Sequence, residues 1–270
     1  MKNLYTIIFT TLLFFSSCST VPVTGRRQLD LVPQSQVLAL SQSSYQDFMS
    51  KNKLSADAQN AAMVKRVGQN IANAVEKYMR DNNMSKELKG YTWEFNLVDD
   101  KAVNAWCMPG GKVVVYTGIL PVAHDDKGLA VVMGHEIAHA VAKHGNERMS
   151  QGLTAQLGGV ALQIALRDKP ALTQNLFFSA YGIGSQVGVL LPFSRLQESE
   201  ADELGLVFMA MAGYDPNEAV SFWQRMNAQQ TGGSPPEFLS THPAHETRIK
   251  DIQKHIPKAM TYYSKTTATK

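Results

Sequence analysis

The segment 135–139 constrains this chain more than any other feature, since it reads His-Glu-Ile-Ala-His. Asp125 or Asp126 offers an N-cap and Gly145 a stop, so we predict a helix over 126–144. Two helical residues four apart differ by about 40° around the axis and lie about 6 Å apart along it. Both imidazoles can therefore reach one metal ion, and the fold must turn this helix face towards a site.

Glu136 lies on the adjoining face of the same predicted helix. Its carboxylate would stand beside the ion without acting as a ligand, where it can take a proton from water and pass it to a leaving amine. The ordinary alternative is two surface histidines on a helix without a metal. This pattern is rare by chance, which favours zinc. A metzincin would have Gly at 142 and His at 145, and Ala142 and Gly145 exclude that class.

A third zinc ligand is expected, because catalytic zinc usually has three protein ligands and one open position. On a helix predicted to open near Ser194, Glu198 and Asp202 are four residues apart and share a face. Glu198 can complete the coordination, while Asp202 can accept a hydrogen bond from the outer nitrogen of a ligating histidine. Glu200 lies on a different face of this predicted helix and is the weaker candidate for the third zinc ligand. Acidic side chains at a helix start also serve as plain surface charge.

Three segments together carry a family resemblance: 135–139, 198–202 (Glu-Ser-Glu-Ala-Asp) and 240–243 (Ser-Thr-His-Pro). They resemble the HtpX, BepA and Oma-type zinc metallopeptidases, gluzincins related to the CAAX prenyl proteases. The similarity runs from about residue 30 to 256, and the layout is closest to short lipoprotein members such as LoiP. It implies an α+β, mostly helical, zincin-like domain with a small β-sheet or hairpin edge beside the active-site helix.

The resemblance also implies the roles of the residues in these segments. One zinc ion per chain would be held by His135, His139 and Glu198. Glu136 would be the catalytic base, and Asp202 would support the site. Polypeptides are the implied substrates.

Two later residues match family positions near the zinc. In BepA-like relatives the histidine matching His242 occupies the open zinc position and keeps the enzyme latent, because zinc with four protein ligands has no place for water. The alternative is that His242 only caps a loop. Arg248 matches an arginine that would steady the transition-state oxyanion. His144 and His245 receive no role.

A small sheet is predicted before the motif helix. Residues 91–99 and 112–117 are rich in β-branched and aromatic side chains and read as strands, with a turn at Pro109-Gly110-Gly111. Asn104-Ala105, the Gly110-Gly111 pair and the 112–117 strand are similar to the family's substrate-binding edge. We therefore expect an extended peptide to add to the 112–117 strand by backbone hydrogen bonds.

The N-terminus reads as an export signal. Lys2 precedes the apolar stretch 4–15, which is too short to span a bilayer. Small residues before Cys18 resemble a lipobox, which predicts a signal peptide over 1–17 and acylation of Cys18. The alternative is a simple cleaved signal with a chance cysteine. Residues 18–36 look like an extended tether.

The rest of the chain is predicted from periodicity. Apolar residues at helical spacing indicate two helices within 35–79. Residues 150–193 suit a packed helical hairpin better than a membrane segment, because Gln and Arg interrupt every apolar run. The peptidase domain is expected over 37–257, and 258–270 is expected to be a fraying polar tail.

Composition narrows the function classes. The net charge of +3 is small and spread out, which excludes a nucleic-acid partner. The resemblance implies an endopeptidase on the periplasmic face of the outer membrane of a Gram-negative bacterium. It would clear misfolded or misassembled envelope proteins beside the outer-membrane assembly machinery, with a lipid anchor at Cys18. One alternative is a scaffolding lipoprotein whose zinc site is mostly latched, and another is an amidase acting on cell-wall peptides.

Overall fold

The computed structural model confirms an α+β, mostly helical fold with a small sheet. It describes residues 18–157, 177, 180, 193–229, 236–243 and 247–268. Most of the predicted hairpin over 150–193 lies outside these residues. None of the described helices combines the length and the apolar character that crossing a membrane requires.

The N-terminal residues form a hairpin that packs on the domain. Strand β1 (Cys18–Thr20) pairs antiparallel with β2 (Arg27–Leu29). Val21 is 1% exposed and Gln28 is 3% exposed. The prediction of an extended tether is therefore wrong over the hairpin, because side chains that bury on the domain fix this segment in place.

Two long helices follow, as the periodicity predicts. They are α1 (Gln34–Lys51) and α2 (Ala58–Asp81), and Asp57 caps α2 by accepting a hydrogen bond from the Asn60 backbone N–H. Buried apolar side chains recur along one face of α2 at intervals of three and four: Val64, Val67, Ile71, Val75, Tyr78 and Met79. This face covers the sheet and the motif helix.

The sheet has three strands, one more than the sequence predicts. They are β3 (Glu94–Val98), β4 (Ala105–Met108) and β5 (Lys112–Tyr116), in the order β3-β5-β4. β5 runs parallel to β3 and antiparallel to β4. β4 is not predicted because its four residues, Ala-Trp-Cys-Met, include no β-branched side chain, whereas the equally buried β5 contains three valines.

The central position of β5 overturns one expectation about substrate. Every residue of β5 is paired with β3, and four of its five residues are also paired with β4. A peptide therefore cannot add to the 112–117 strand, and that prediction is wrong. Among the described strands, none pairs with the outer edge of β4, which packs beside the motif helix.

The motif helix, α4 (Asp126–Val141), follows a short helical turn, α3 (Leu120–Ala123). Asp125 caps α4 by accepting hydrogen bonds from the backbone N–H groups of the second and third helical residues. The predicted stop at Gly145 is wrong. Lys143 takes the left-handed conformation, with φ of 59°, and Gly145 already lies inside the next helix, α5 (His144–Leu157).

A second helix, α6 (Arg195–Met211), crosses α4 at close range. Its start agrees with the prediction near Ser194, which forms a reciprocal capping box with Gln197. Glycines permit the approach: a Cβ on Gly134 would lie 3.0 Å from the Gly205 carbonyl oxygen, and one on Gly205 would lie 2.9 Å from the backbone nitrogen of His135. The carboxylates of α6 are thereby brought within reach of the α4 histidines.

The C-terminal part is helical almost to its end. It comprises α7 (Glu218–Ala228), α8 (Glu237–Thr241) and α9 (Arg248–Ala268). The fraying tail expected after residue 257 is wrong over 258–268, because α9 continues through Pro257 and buries Ala259 completely. The apolar face of α9 packs along α6 and holds these residues in the helix.

Candidate metal centre

Three helical segments converge on one buried point. α4 supplies His135 and His139, α6 supplies Glu198, and the end of α8 supplies His242. One ligand atom from each of the four residues lies within 4.8 Å of the other three. All four residues are at most 4% exposed.

The separations suit a tetrahedral ion. His135 Nε2 lies 3.1 Å from His139 Nε2 and 3.2 Å from His242 Nδ1. Glu198 Oε1 lies 2.9 Å from His242 Nδ1 and 3.3 Å from His139 Nε2. Tetrahedral zinc with ligand bonds of about 2.0–2.1 Å places its ligand atoms about 3.3 Å apart. The residues present therefore fit zinc, with His242 as the fourth donor.

Glu136 lies beside this cluster and outside it. The side chain is buried, and its Oε1 has no hydrogen-bond partner within the described part of the chain. His242 Nε2 lies 3.4 Å from that oxygen. Burial raises the pKa of Glu136, despite the opposing charges of His242 and His135. A buried carboxylate with a raised pKa and a free acceptor suits proton transfer to and from a water molecule.

Asp202 and Arg248 organise the far side of the centre. Asp202 Oδ1 lies 2.9 Å from His135 Nδ1, the outer nitrogen of that histidine. Arg248 donates to both Asp202 oxygens, at 3.0 and 2.9 Å, and lies 2.6 Å from Glu198 Oε2. Its guanidinium carbon lies 3.6 Å from the centre of the Trp223 ring. These contacts favour a positioning role for Arg248 over the predicted oxyanion role, since the carboxylates engage its donors.

Charge on the ligands follows from their neighbours. Burial opposes a proton on His135, but Asp202 and Glu198 outweigh it and raise the pKa of His135 to about 9. Burial lowers the pKa of His139 well below its usual value, so this imidazole is neutral. Burial would raise the pKa of Glu198, but the charges of Arg248 and His242 hold it well below its ordinary range. A zinc ion bound here would compete with that proton on His135.

The predicted substrate residues lie at opposite ends of β4. Asn104 precedes the strand, is 3% exposed, and donates a hydrogen bond of 3.2 Å to Glu237 on α8. Ala105 is the first residue of β4. Gly110 and Gly111 form the β4–β5 turn with φ of 83° and 82°, where a Cβ would meet α1 or the Trp93 ring. The backbone conformation and close contacts of this turn therefore explain the two glycines without any role in substrate binding.

Sequence reasoning missed two residues behind the centre, His144 and Glu200. His144 is completely buried, and its Nδ1 lies 2.9 Å from Nδ1 of His139. Its Nε2 lies 3.3 Å from Glu200 Oε2. The left-handed Lys143 returns His144 towards α4, so helical periodicity gave no signal for it. The two histidines are five positions apart, a spacing that no regular helix would bring together this way.

Comparison with known proteins gives the family. The profile of the family described as Peptidase family M48 matches residues 58–256, which include every residue of the cluster. The chain belongs to peptidase family M48. M48 enzymes are zinc-dependent metallopeptidases, and this member carries a His-His-Glu-His cluster able to hold the ion.

Relatives of the M48 chain include mitochondrial and bacterial proteins. It is 33% identical over 251 residues to the mitochondrial metalloendopeptidase OMA1 of Schizosaccharomyces pombe, covering 91% of this chain and 68% of the relative. It is 31% identical over 257 residues to the Homo sapiens metalloendopeptidase OMA1, covering 92% and 47%. It is 31% identical over 171 residues to the β-barrel assembly-enhancing protease of Escherichia coli, covering 60% and 34%. The matched segments thus cover 34% to 68% of the length of these relatives.

Proposed function

We propose that this M48 chain is a zinc endopeptidase of a bacterial envelope that cleaves misfolded or misassembled periplasmic and outer-membrane proteins. The observation that carries the proposal is the placement of Glu136, buried and without a hydrogen-bond partner in the described residues, beside four metal-ligand atoms. A purely structural metal site has no use for such a carboxylate. His135, His139 and Glu198 would hold the ion.

In peptide hydrolysis the zinc ion and the protein side chains would have separate roles. Zinc, when bound, makes water more acidic and polarises the substrate carbonyl. Glu136 takes the proton from the attacking water at Oε1 and hands it to the amine that leaves. Asp202 keeps His135 in the tautomer that presents Nε2 to the cluster, since it faces Nδ1 at 2.9 Å.

Substrate peptide would add to the outer edge of β4 once that edge is uncovered, since the four β4 residues are at most 5% exposed in this structure. The Tyr116 N–H donates to the Asn104 carbonyl across the β4–β5 pair, so backbone groups of Ala105 and Cys107 point the other way. The Ala105 N–H donates to the Asn104 side-chain oxygen at 2.9 Å, which leaves the Ala105 carbonyl and the Cys107 backbone groups for a peptide. A peptide paired there would run beside α4, which carries the motif.

A peptide substrate methylated at single backbone nitrogens tests this edge. N-methylation removes one donor at a time, so we expect cleavage to fall at alternate positions along the peptide, those that face β4. The matched control is the same peptide extended or shortened at its ends without methylation. Equal cleavage of all singly methylated peptides would exclude pairing with β4.

His242 is proposed to hold the enzyme latent. Its Nδ1 occupies the fourth ligand position, and its Nε2 lies 3.4 Å from Glu136 Oε1. In this arrangement the His242 side chain takes the coordination position that water would need and also lies against Glu136, the proposed base. The same observation favours the second candidate function, a scaffolding lipoprotein of outer-membrane biogenesis whose site stays latched.

The envelope location rests on sequence. The predicted signal over 1–17 and the acylated Cys18 would place the domain on the periplasmic face of the outer membrane, since 19–22 carry no retention aspartate. The E. coli relative, named for β-barrel assembly, supports a role beside the assembly machinery. Mass spectrometry of the N-terminal peptide would detect the acyl groups, and an unmodified Cys18 would remove the anchor from the proposal.

Casein cleavage with controlled zinc content tests the proposed activity. We expect the chain purified in detergent to cleave casein, to stop after chelation, and to recover when about one equivalent of zinc per chain is restored. Magnesium at the same concentration is the matched control, because it prefers oxygen ligands. A chain that binds zinc but never cleaves casein would favour the scaffolding candidate.

A further inference from the structure

The N-terminal hairpin contacts the turn between α4 and α5, residues 142–143, which lies directly behind the metal cluster. Buried Gln28 donates a hydrogen bond of 2.6 Å to the carbonyl oxygen of Ala142, the residue that ends α4. Asp30 lies 3.4 Å from the Lys143 ammonium and accepts a hydrogen bond of 3.3 Å from Asn146. The segment 24–30 is thus attached at the point where the chain turns His144 back towards the ligands.

Arg26 joins this segment to two helices. Its Nε lies 2.9 Å from both carboxylate oxygens of Glu200 on α6. Its two terminal nitrogens each donate 2.8 Å hydrogen bonds to Glu147 on α5. Thr24 adds a hydroxyl donor to Glu200 at 2.9 Å. The side chains of Glu147 and Glu200 are 8% and 5% exposed and that of Arg26 is 21% exposed, so these ion pairs are partly shielded from water and salt.

Glu200 continues the connection inwards to a ligand. His144 lies with Nε2 3.3 Å from Glu200 and with Nδ1 2.9 Å from Nδ1 of His139. His139 presents its other nitrogen, Nε2, to the cluster. We call the series Arg26, Glu200 and His144 the arginine chain.

One proton arrangement is consistent with the distances along the arginine chain, in which His144 Nε2 and Glu200 Oε2 make an ion-pair contact of 3.3 Å without hydrogen-bond geometry. If His139 binds zinc through Nε2, its proton is on Nδ1 and points at Nδ1 of His144, which must then carry its own proton on Nε2, facing Glu200. The Glu200 carboxylate then faces three donor groups, the ring of His144, the Thr24 hydroxyl and the Arg26 guanidinium.

We propose that the N-terminal segment 24–30 is part of the metal centre: Arg26, acting through Glu200 and His144, orients His139 and strengthens zinc binding. The proposal rests on the ligand role of His139 under the proposed function. Asp202 supports His135 directly at the outer nitrogen, whereas His139 receives its support from an element about 110 residues earlier in the chain through two intermediates. Arg26 and His144 are positioning residues.

Zinc affinity, measured by chelator competition on the full chain in detergent, tests the arginine chain. We expect His144→Phe to weaken zinc binding about 10–100-fold, the usual cost of losing the partner of a ligating histidine. Arg26→Ala should weaken it by about 3–10-fold, and Arg26→Lys should recover part of the loss. The control is Arg27→Ala, which removes the same charge from an exposed neighbouring position and should leave affinity unchanged.

Two further readouts separate positioning from simple loss of stability. The visible spectrum of the cobalt-substituted protein should shift in Arg26→Ala and stay unchanged in Arg27→Ala, because only the former alters His139. Combining Arg26→Ala with His144→Phe should add no further loss to that of His144→Phe, since Arg26 acts through His144. Circular dichroism of each variant checks folding, and Glu200→Gln replaces any variant that fails to fold.

The outcomes distinguish the inference from the function on which it rests. If Arg26→Ala and Glu200→Gln match Arg27→Ala in affinity and cobalt spectrum, the arginine chain is overturned. If His139→Ala weakens zinc binding strongly in the same experiment, the ligand assignment survives that result. If His139→Ala binds zinc like the unaltered chain, the ligand assignment itself fails, and the proposed function loses its metal centre.

Discussion

Glu136→Gln is expected to lower casein cleavage by about 10²–10⁴-fold while leaving one zinc ion per chain. Glutamine keeps the size of the side chain but cannot take a proton from water. Glu136 is not among the four residues whose ligand atoms converge, so its loss should not release the ion. The measurement is initial cleavage rate together with zinc content, both on the same zinc-saturated preparation.

The matched control for this variant is Glu203→Gln. Glu203 is another glutamate of the same domain, paired with Lys258 at 2.8 Å, and it lies outside the cluster. Its substitution should leave the cleavage rate unchanged. Full activity in Glu136→Gln with zinc bound would remove the proposed base. Loss of zinc in that variant would instead make Glu136 a ligand.

His242→Ala is expected to raise the cleavage rate at saturating zinc. Removing the imidazole frees the fourth ligand position and leaves Glu136 Oε1 open to water. If the latched form makes up about 90% of the molecules or more, the gain is at least about tenfold. Zinc affinity should fall in the same variant, because three donors remain in place of four.

His255→Ala is the control for this gain. His255 lies on α9 with its side chain 24% exposed and takes no part in the cluster. It should cleave at the rate of the unaltered chain. An unchanged or lower rate in zinc-loaded His242→Ala would exclude the latch and favour the alternative in which His242 only caps a loop.

Local spacing predicted which candidate ligands share a helix face. His135 and His139 are four residues apart on one helix, as are Glu198 and Asp202 on another, and such pairs share a face in any helix. The structure brings the two helices together through the facing Gly134 and Gly205. Nothing in single-sequence periodicity states which helices meet, so that part came from the family resemblance.

The features that sequence reasoning missed depend on contacts between distant segments. The sequence of β4 contains no β-branched residue and no alternation, and the recognition of this strand moves the proposed substrate edge from 112–117 to 105–108. Arg26 meets Glu200 across 174 positions, which no local pattern encodes. Pro257 predicted that the ordered helix ends there. The helix α9 nevertheless continues past it, because its apolar face packs on α6.

Anomalous X-ray scattering at the zinc edge, from crystals of the zinc-loaded full chain, tests the central claim most directly. One peak per chain is predicted, bonded at about 2.0–2.2 Å to His135, His139 and Glu198, with His242 at the fourth position. A peak elsewhere, or a peak among these residues that lacks either α4 histidine, would contradict the metal centre described for this protein.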